Sequence, residues 1–123
     1  MTQEKKRLVE IIFDIINERL KIFKDEKLSS EATCSRIYQA IFNAVTEILT
    51  KSKLKLSNDA ANYMAQQLYD AVTINEQIQL NPNIFTKRAK LTDLTTAELA
   101  IVGTMFSGDP LAIPVIQEIK KRS

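Results

Sequence analysis

Few residues in this chain could carry acid–base chemistry, because its 123 residues include no histidine. Catalysis by Ser-His-Asp or Cys-His groups and metal binding through imidazole are therefore excluded. The single cysteine, Cys34, rules out an internal disulfide and a cysteine-based structural zinc site. Cys34 falls in the apolar arc of a predicted helix, so we expect a small buried side chain and not a nucleophile.

Three carboxylates, Glu10, Asp14 and Glu18, follow one another at four-residue intervals on one predicted helix face. Their oxygens could bind a hard divalent cation or a basic partner. Like charges at this spacing cost only a few tenths of a kcal/mol, and Arg7 and Lys21 relieve them. A solvated helix face is therefore the expected interpretation. With two glycines there is also no phosphate-binding loop, so we predict no enzymatic activity, no cofactor and no metal ion.

Basic residues cluster at the predicted helix ends and loops. The net charge is only +2, from 17 basic and 15 acidic residues, which is too small by itself to indicate nucleic acid or anionic lipid. If folding gathered two clusters onto one face, they would form a phosphate-binding patch. Nucleic acid is therefore an alternative partner, and the candidate contact residues in the loops are Lys53, Lys55, Lys87, Arg88 and Lys90.

Arg19 interrupts the apolar arc of the first predicted helix. Arginine is rarely buried without a partner, so two interpretations stay open. In the first, the aliphatic stem packs against the core while the guanidinium reaches a carboxylate such as Glu47 or Asp70. In the second, Arg19 crosses a subunit interface or meets a ligand anion. Arg19 and the nearby Phe23 are the candidate interaction residues of this helix.

Helices are the elements that must position these residues. Capping residues support them: Ser29 or Ser30 and Ser57 suit N-caps, and Thr95 with Glu98 fits a capping box. Pro114 is expected to begin the last helix, because within a helix it would remove a backbone donor. The predicted helices span Glu4–Lys24, Glu31–Lys51, Asn58–Thr73, Thr96–Ser107 and Pro114–Lys121.

The first and second predicted helices carry apolar arcs roughly 200° wide, about twice what one core face requires. The fourth carries apolar residues almost all round and is expected to be deeply buried. A homo-oligomer would cover this excess of apolar surface, although a single intertwined core could also absorb it. The weakly patterned stretch 75–93 is expected to be a long, partly ordered connection.

The sequence thus predicts one all-α domain, residues 1–123, in which four main helices and a short C-terminal helix form a bundle. The function expected first is that of a non-enzymatic interaction protein, an adaptor, inhibitor or assembly factor, that acts as an oligomer and binds a protein of unknown identity. Nucleic-acid binding is one alternative, and binding of a small anionic ligand at an oligomer interface is another. No membrane-spanning segment is predicted, so a reducing, cytoplasmic location is expected.

Overall fold

Five α-helices and no β-strand make up the part of the chain that the computed structural model describes, which is residues 7–28, 30–72, 80 and 84–123. The all-α prediction is confirmed. Short 3₁₀ turns at Lys21–Phe23 and Leu91–Asp93 accompany the helices. The helices are α1 Leu8–Leu20, α2 Glu31–Lys51, α3 Asn58–Ala71, α4 Thr96–Met105 and α5 Ala112–Arg122. The predicted helix start at 4–6, the alternative cap Ser29 and the helix end at Thr73 lie outside the described residues, as do positions 75–79 and 81–83 of the predicted connection.

The predicted N-caps are confirmed at three helices. Ser30 Oγ accepts from the Thr33 backbone N–H at the start of α2, although the separation is a long 3.5 Å. Ser57 caps α3 by accepting from the Ala60 N–H at 3.2 Å. Before α4 both hydrogen bonds of the capping box are formed. Each cap satisfies a backbone donor that the helix itself leaves without an acceptor.

α2 lies at the centre of the fold and packs against both α1 and α3. Its wide apolar arc is needed because it must cover two neighbours, and the side chains of Ile37, Ile41, Ala44 and Val45 are fully buried. α4 packs along α5 and also contacts α1 and α3. The core of a single chain therefore absorbs the apolar excess of α2.

The prediction that α4 is deeply buried is wrong. Leu99, Val102 and Met105 are buried, but Ala100 and Thr104 are exposed. The neighbouring helices cover one side of α4 only, and the opposite side carries small residues that tolerate contact with water.

The last helix begins two residues earlier than predicted, at Ala112. Pro114 is its third residue, where a backbone N–H would have no acceptor within the helix, so the missing donor costs nothing there. Asp109 provides two hydrogen-bond acceptors at the start of α5. Its Oδ1 accepts from the Leu111 N–H at 3.0 Å, and its backbone carbonyl accepts from the Ala112 N–H at 2.9 Å.

α1 buries one side and leaves part of its apolar arc uncovered. Val9, Ile12 and Ile16 belong to the core, whereas Leu8 and Ile11 stay exposed. None of the described helices combines the length and the hydropathy that a membrane span requires.

Candidate functional site

One face of α3 is polar and is covered by the segment 84–93. Asp59, Asn62, Gln66 and Asp70 recur at intervals of three or four residues, which places them along one side of the helix. Gln66 Oε1 accepts from the backbone N–H of Ala89 at 2.8 Å. The Arg88 guanidinium donates to the Asp70 carboxylate. The polar face of α3 therefore holds this segment at a fixed register.

An aromatic cluster anchors the same segment. The Phe85 ring lies edge-on to Tyr38, with 4.9 Å between ring centroids, and to Tyr69, with 5.2 Å. The Arg88 guanidinium also lies over the Phe85 ring, 5.1 Å from its centroid. Such edge-to-face and cation–π contacts stabilise a connection that has little regular structure of its own.

A polar cleft of about 540 Å³ opens between α3 and this segment. Its size falls within the range of small-molecule sites. The residues that line it are Asp59, Asn62, Gln66, Lys87, Arg88, Ala89 and Asp93. We refer to this space below as the α3 cleft.

Both carboxamides in the α3 cleft use their oxygen for internal hydrogen bonds. The Tyr38 hydroxyl donates to Asn62 Oδ1 at 2.6 Å, and Gln66 Oε1 is occupied by Ala89. Gln66 is only 5% exposed, so its orientation is fixed. Each oxygen already accepts one hydrogen bond, which leaves the amide NH₂ groups of Asn62 and Gln66 as donors for a further partner.

The tyrosines beside the α3 cleft keep their protons at neutral pH. Burial raises the pKa of Tyr38 to about 12, although the positive charge of Arg88 offsets part of the rise. Burial also raises the pKa of Tyr69, and its interaction with Cys34 raises it further. The Tyr38 hydroxyl therefore remains a donor to Asn62 throughout the physiological range.

The predicted basic loop residues fall at different places. Lys87 and Arg88 line the α3 cleft, and Lys90 is exposed on the same segment outside its lining. Lys53, whose φ is 58°, and Lys55 lie in the loop after α2. Lys55 lines a second cavity, of about 350 Å³, near the end of α2.

Arg19 forms an ion pair with Glu47, one of the two carboxylates named for it from the sequence. This hydrogen bond is the main cause that lowers the pKa of Glu47, and Lys51, 3.3 Å away, adds to it. Phe23 is buried beneath the guanidinium of Arg36, which lies 5.1 Å from its ring centroid. Phe23 is therefore part of the core of this chain and is not exposed at the surface.

Two further groups named from the sequence have ordinary structural roles. Cys34 is fully buried, as predicted, and its thiol donates to the Leu28 carbonyl at 2.9 Å. Glu10 and Glu18 each form an ion pair along α1, with Arg7 and Lys21. No set of three or more His, Cys, Asp or Glu side chains in the described ranges is arranged to hold a metal ion.

Four large aliphatic side chains on α1 and α5 are exposed. Leu8 and Ile11 on α1 are 37% and 38% exposed, and Ile113 and Ile116 on α5 are 54% and 44% exposed. We call these four residues the aliphatic surface. The Arg7 guanidinium donates to the Gly108 carbonyl, so the first turn of α1 lies beside the turn that precedes α5.

Sequence reasoning missed four residues of the α3 cleft: Asp59, Asn62, Gln66 and Asp93. A signal for three of them was present, because Asp59, Asn62 and Gln66 share one helical face. What the pattern does not disclose is that a distant segment covers this face. The aliphatic surface was foreseen only as an excess of apolar residues on α1.

Comparisons with known proteins give no relationship for this chain: no family model, no curated protein and no solved structure matches it.

Proposed function

We propose that this protein is a non-enzymatic interaction protein that self-associates through the aliphatic surface. The observation that carries the proposal is the exposure of Leu8, Ile11, Ile113 and Ile116, four large aliphatic side chains on two helices. Isolated exposed aliphatic residues are ordinary on soluble proteins. Exposed aliphatic residues that are grouped, here at an interval of three residues on each helix, are typical of a contact surface.

The two halves of the aliphatic surface belong to the same end of the molecule. Arg7 precedes Leu8 and is hydrogen-bonded to Gly108, and α5 begins four residues after Gly108. A second copy that covers this end can therefore contact both helices at once. A two-fold arrangement is the simplest, because it lets the same surface meet itself.

Charge does not oppose this contact. Arg7, which precedes Leu8, pairs with Glu10 at 2.8 Å. The rim of the α1 half is thus close to neutral, and two copies would not meet with like net charge. Complete burial of one such aliphatic side chain contributes about 1.5–3 kcal/mol. These four side chains are already half covered, so we expect a weak, reversible association at micromolar concentrations or above.

Sedimentation velocity across a wide concentration range tests the proposal. We expect the wild-type protein to show a concentration-dependent dimer, and Ile113→Glu and Ile11→Glu to remain monomeric, because a charge at the centre of the contact would be buried without a partner. Ile22→Glu is the matched control, since Ile22 is 72% exposed and lies outside the aliphatic surface. It should dimerise as the wild type does. A wild type that stays monomeric at the highest concentration would contradict the proposal.

Nucleic-acid binding has weaker support. It requires basic clusters on a shared face, and Lys55 and Lys87 line different cavities. Lys120, Lys121 and Arg122 form a further basic cluster in the last turn of α5. Arg122 is engaged within the fold, where its guanidinium donates to the carbonyls of Leu94 at 2.7 Å and Leu91 at 3.1 Å. In its more specific form, our proposal is that the dimer of this chain acts as an adaptor or assembly factor and binds a further protein.

A further inference from the structure

The lining of the α3 cleft includes several hydrogen-bond donors. Lys87 contributes an ammonium group that forms no ion pair with another residue in the described part of the chain. Asn62 and Gln66 contribute the amide NH₂ groups that remain once their oxygens are occupied by Tyr38 and Ala89. Donors that line one cavity, one of them charged, suit the oxygens of a carboxylate or another oxyanion.

The α3 cleft also presents two carboxylates. Asp59 lies in the first turn of α3, and Asp93 ends the 3₁₀ turn that closes the covering segment. Both line the cleft, and neither forms an ion pair within the described ranges. Carboxylates accept hydrogen bonds and carry no donor at neutral pH. They suit an ammonium group on a ligand.

The charges of the lining balance one another. Lys87 and Arg88 contribute two positive charges, and Asp59 and Asp93 contribute two negative charges. Arg88 is also paired with Asp70 at the edge of the cleft, so its charge is already offset. A doubly charged phosphate would therefore meet at least as much repulsion as attraction, whereas a molecule that carries one charge of each sign can contact both kinds of group.

We propose that the α3 cleft binds a small zwitterion of the amino-acid class. Its carboxylate is held by Lys87 and by the amide groups of Asn62 and Gln66, and its ammonium group is held by Asp59 and Asp93. The volume of about 540 Å³ accommodates a single amino acid with its side chain. Because the contacts are polar, the α amino and carboxyl groups are recognised more strongly than the side chain.

Ligand-observed NMR with each standard amino acid tests the site on the 123-residue chain. At least one amino acid should bind. Its deaminated and decarboxylated analogues should each bind about tenfold or more weakly, because one side of the cleft then loses its partner. Inorganic phosphate serves as the probe for a simple anion site. The proposal is overturned if no amino acid binds, or if phosphate binds more tightly than the best amino acid.

Variants locate the binding. Lys87→Met should weaken binding of the best amino acid about tenfold or more, whereas Lys90→Met, which removes the same charge from the same segment outside the lining, should leave it within about twofold. Asp59→Asn should weaken binding of the amino acid and leave that of its deaminated analogue unchanged. Equal effects of the two lysine variants would indicate general electrostatics and overturn the proposal. Both lysines are exposed, and circular dichroism would verify that each variant is folded.

Discussion

Glu98 accepts a backbone hydrogen bond from Ser57, 41 positions earlier in the chain, and so joins the starts of two helices. Its Oε2 accepts from the Ser57 N–H at 2.9 Å, and its Oε1 accepts from the Thr95 N–H at 3.0 Å. Ser57 caps α3 and Thr95 caps α4. One carboxylate thus completes the capping box of its own helix and fixes the entry to another.

We expect Glu98→Ala to lower the free energy of unfolding by about 1–2 kcal/mol, because two backbone donors lose their acceptor. Glu98→Gln should lower it by about half as much, since the amide keeps one acceptor oxygen. Urea denaturation followed by circular dichroism measures both. Glu18→Gln is the control, because Glu18 is exposed and pairs with Lys21. The free energy of unfolding of this variant should differ from that of the wild type by no more than about 0.5 kcal/mol. A Glu98→Ala effect no larger than that of the control would contradict the assigned role.

The contribution of Glu98 should depend on pH. Hydrogen bonds from the Ser57 side chain and from the backbone of Thr95 and Ser57 lower the pKa of Glu98 from 4.5 to about 2. A carboxylate with a lowered pKa in the folded state stabilises the fold above its ordinary pKa, and the contribution is lost as the pH falls through the folded value. The stability difference between wild type and Glu98→Gln should therefore be constant from neutral pH to about 4.5 and shrink towards about 2. A difference that stays unchanged at low pH would contradict this.

Arg19 should control the ionisation of Glu47. Its hydrogen bond is the largest cause that lowers the pKa of Glu47, ahead of Lys51. In Arg19→Met the pKa of Glu47 should rise towards its ordinary value, and in Lys51→Met it should rise less. Carbon-13 NMR titration of the Glu47 carboxyl measures both. The opposite order would show that Arg19 is directed elsewhere, in agreement with the alternative in which it meets a second subunit.

Local rules predicted the helix starts well because the capping hydrogen bonds join neighbouring residues. Ser30, Ser57 and Thr95 each cap a backbone donor three residues further along the chain, whereas the contact of Glu98 with Ser57 is long-range and was not predicted. The start of α5 was wrong by two residues because Pro114 was treated as a boundary, although a proline is tolerated throughout the first helical turn.

The α3 cleft could not be predicted in the same way. It depends on contacts between α3 and the segment 84–93, such as the pairing of Arg88 with Asp70 across 18 positions. No helical period encodes such a contact. The excess of apolar residues on α1 and α2 was visible, but only the packing of α2 between α1 and α3 shows which part of it the core absorbs.

Pro114 should be replaceable, since the first turn of α5 needs no donor at its position. We expect Pro114→Ala to change the free energy of unfolding by no more than about 1 kcal/mol. Gln117→Pro should lower it by about 3 kcal/mol or more, because it removes a donor from the interior of the same helix. Thermal denaturation of the two variants provides the comparison. A large loss in Pro114→Ala would mean that the ring itself fixes the entry to α5.

Gly108 and Arg7 should be energetically coupled. Gly108 has a φ of 85°, where a side chain is strained, and an added Cβ would collide with the Arg7 side chain that donates to the Gly108 carbonyl. Gly108→Ala should therefore lower the free energy of unfolding by about 1–2 kcal/mol from backbone strain, together with the loss of the Arg7 contact.

A double-mutant cycle separates the two contributions. In the Arg7→Ala background, Gly108→Ala should be less destabilising than in the wild type, because the collision is gone and only the strain remains. Gly103→Ala is the matched control. Gly103 lies inside α4, and an added Cβ would make an ordinary contact of 3.5 Å with Val115 Cγ1. That variant should gain up to about 1 kcal/mol from helix propensity and should not be coupled to Arg7. If Gly108→Ala is equally destabilising in both backgrounds, the hydrogen bond from Arg7 does not hold α1 against the turn before α5.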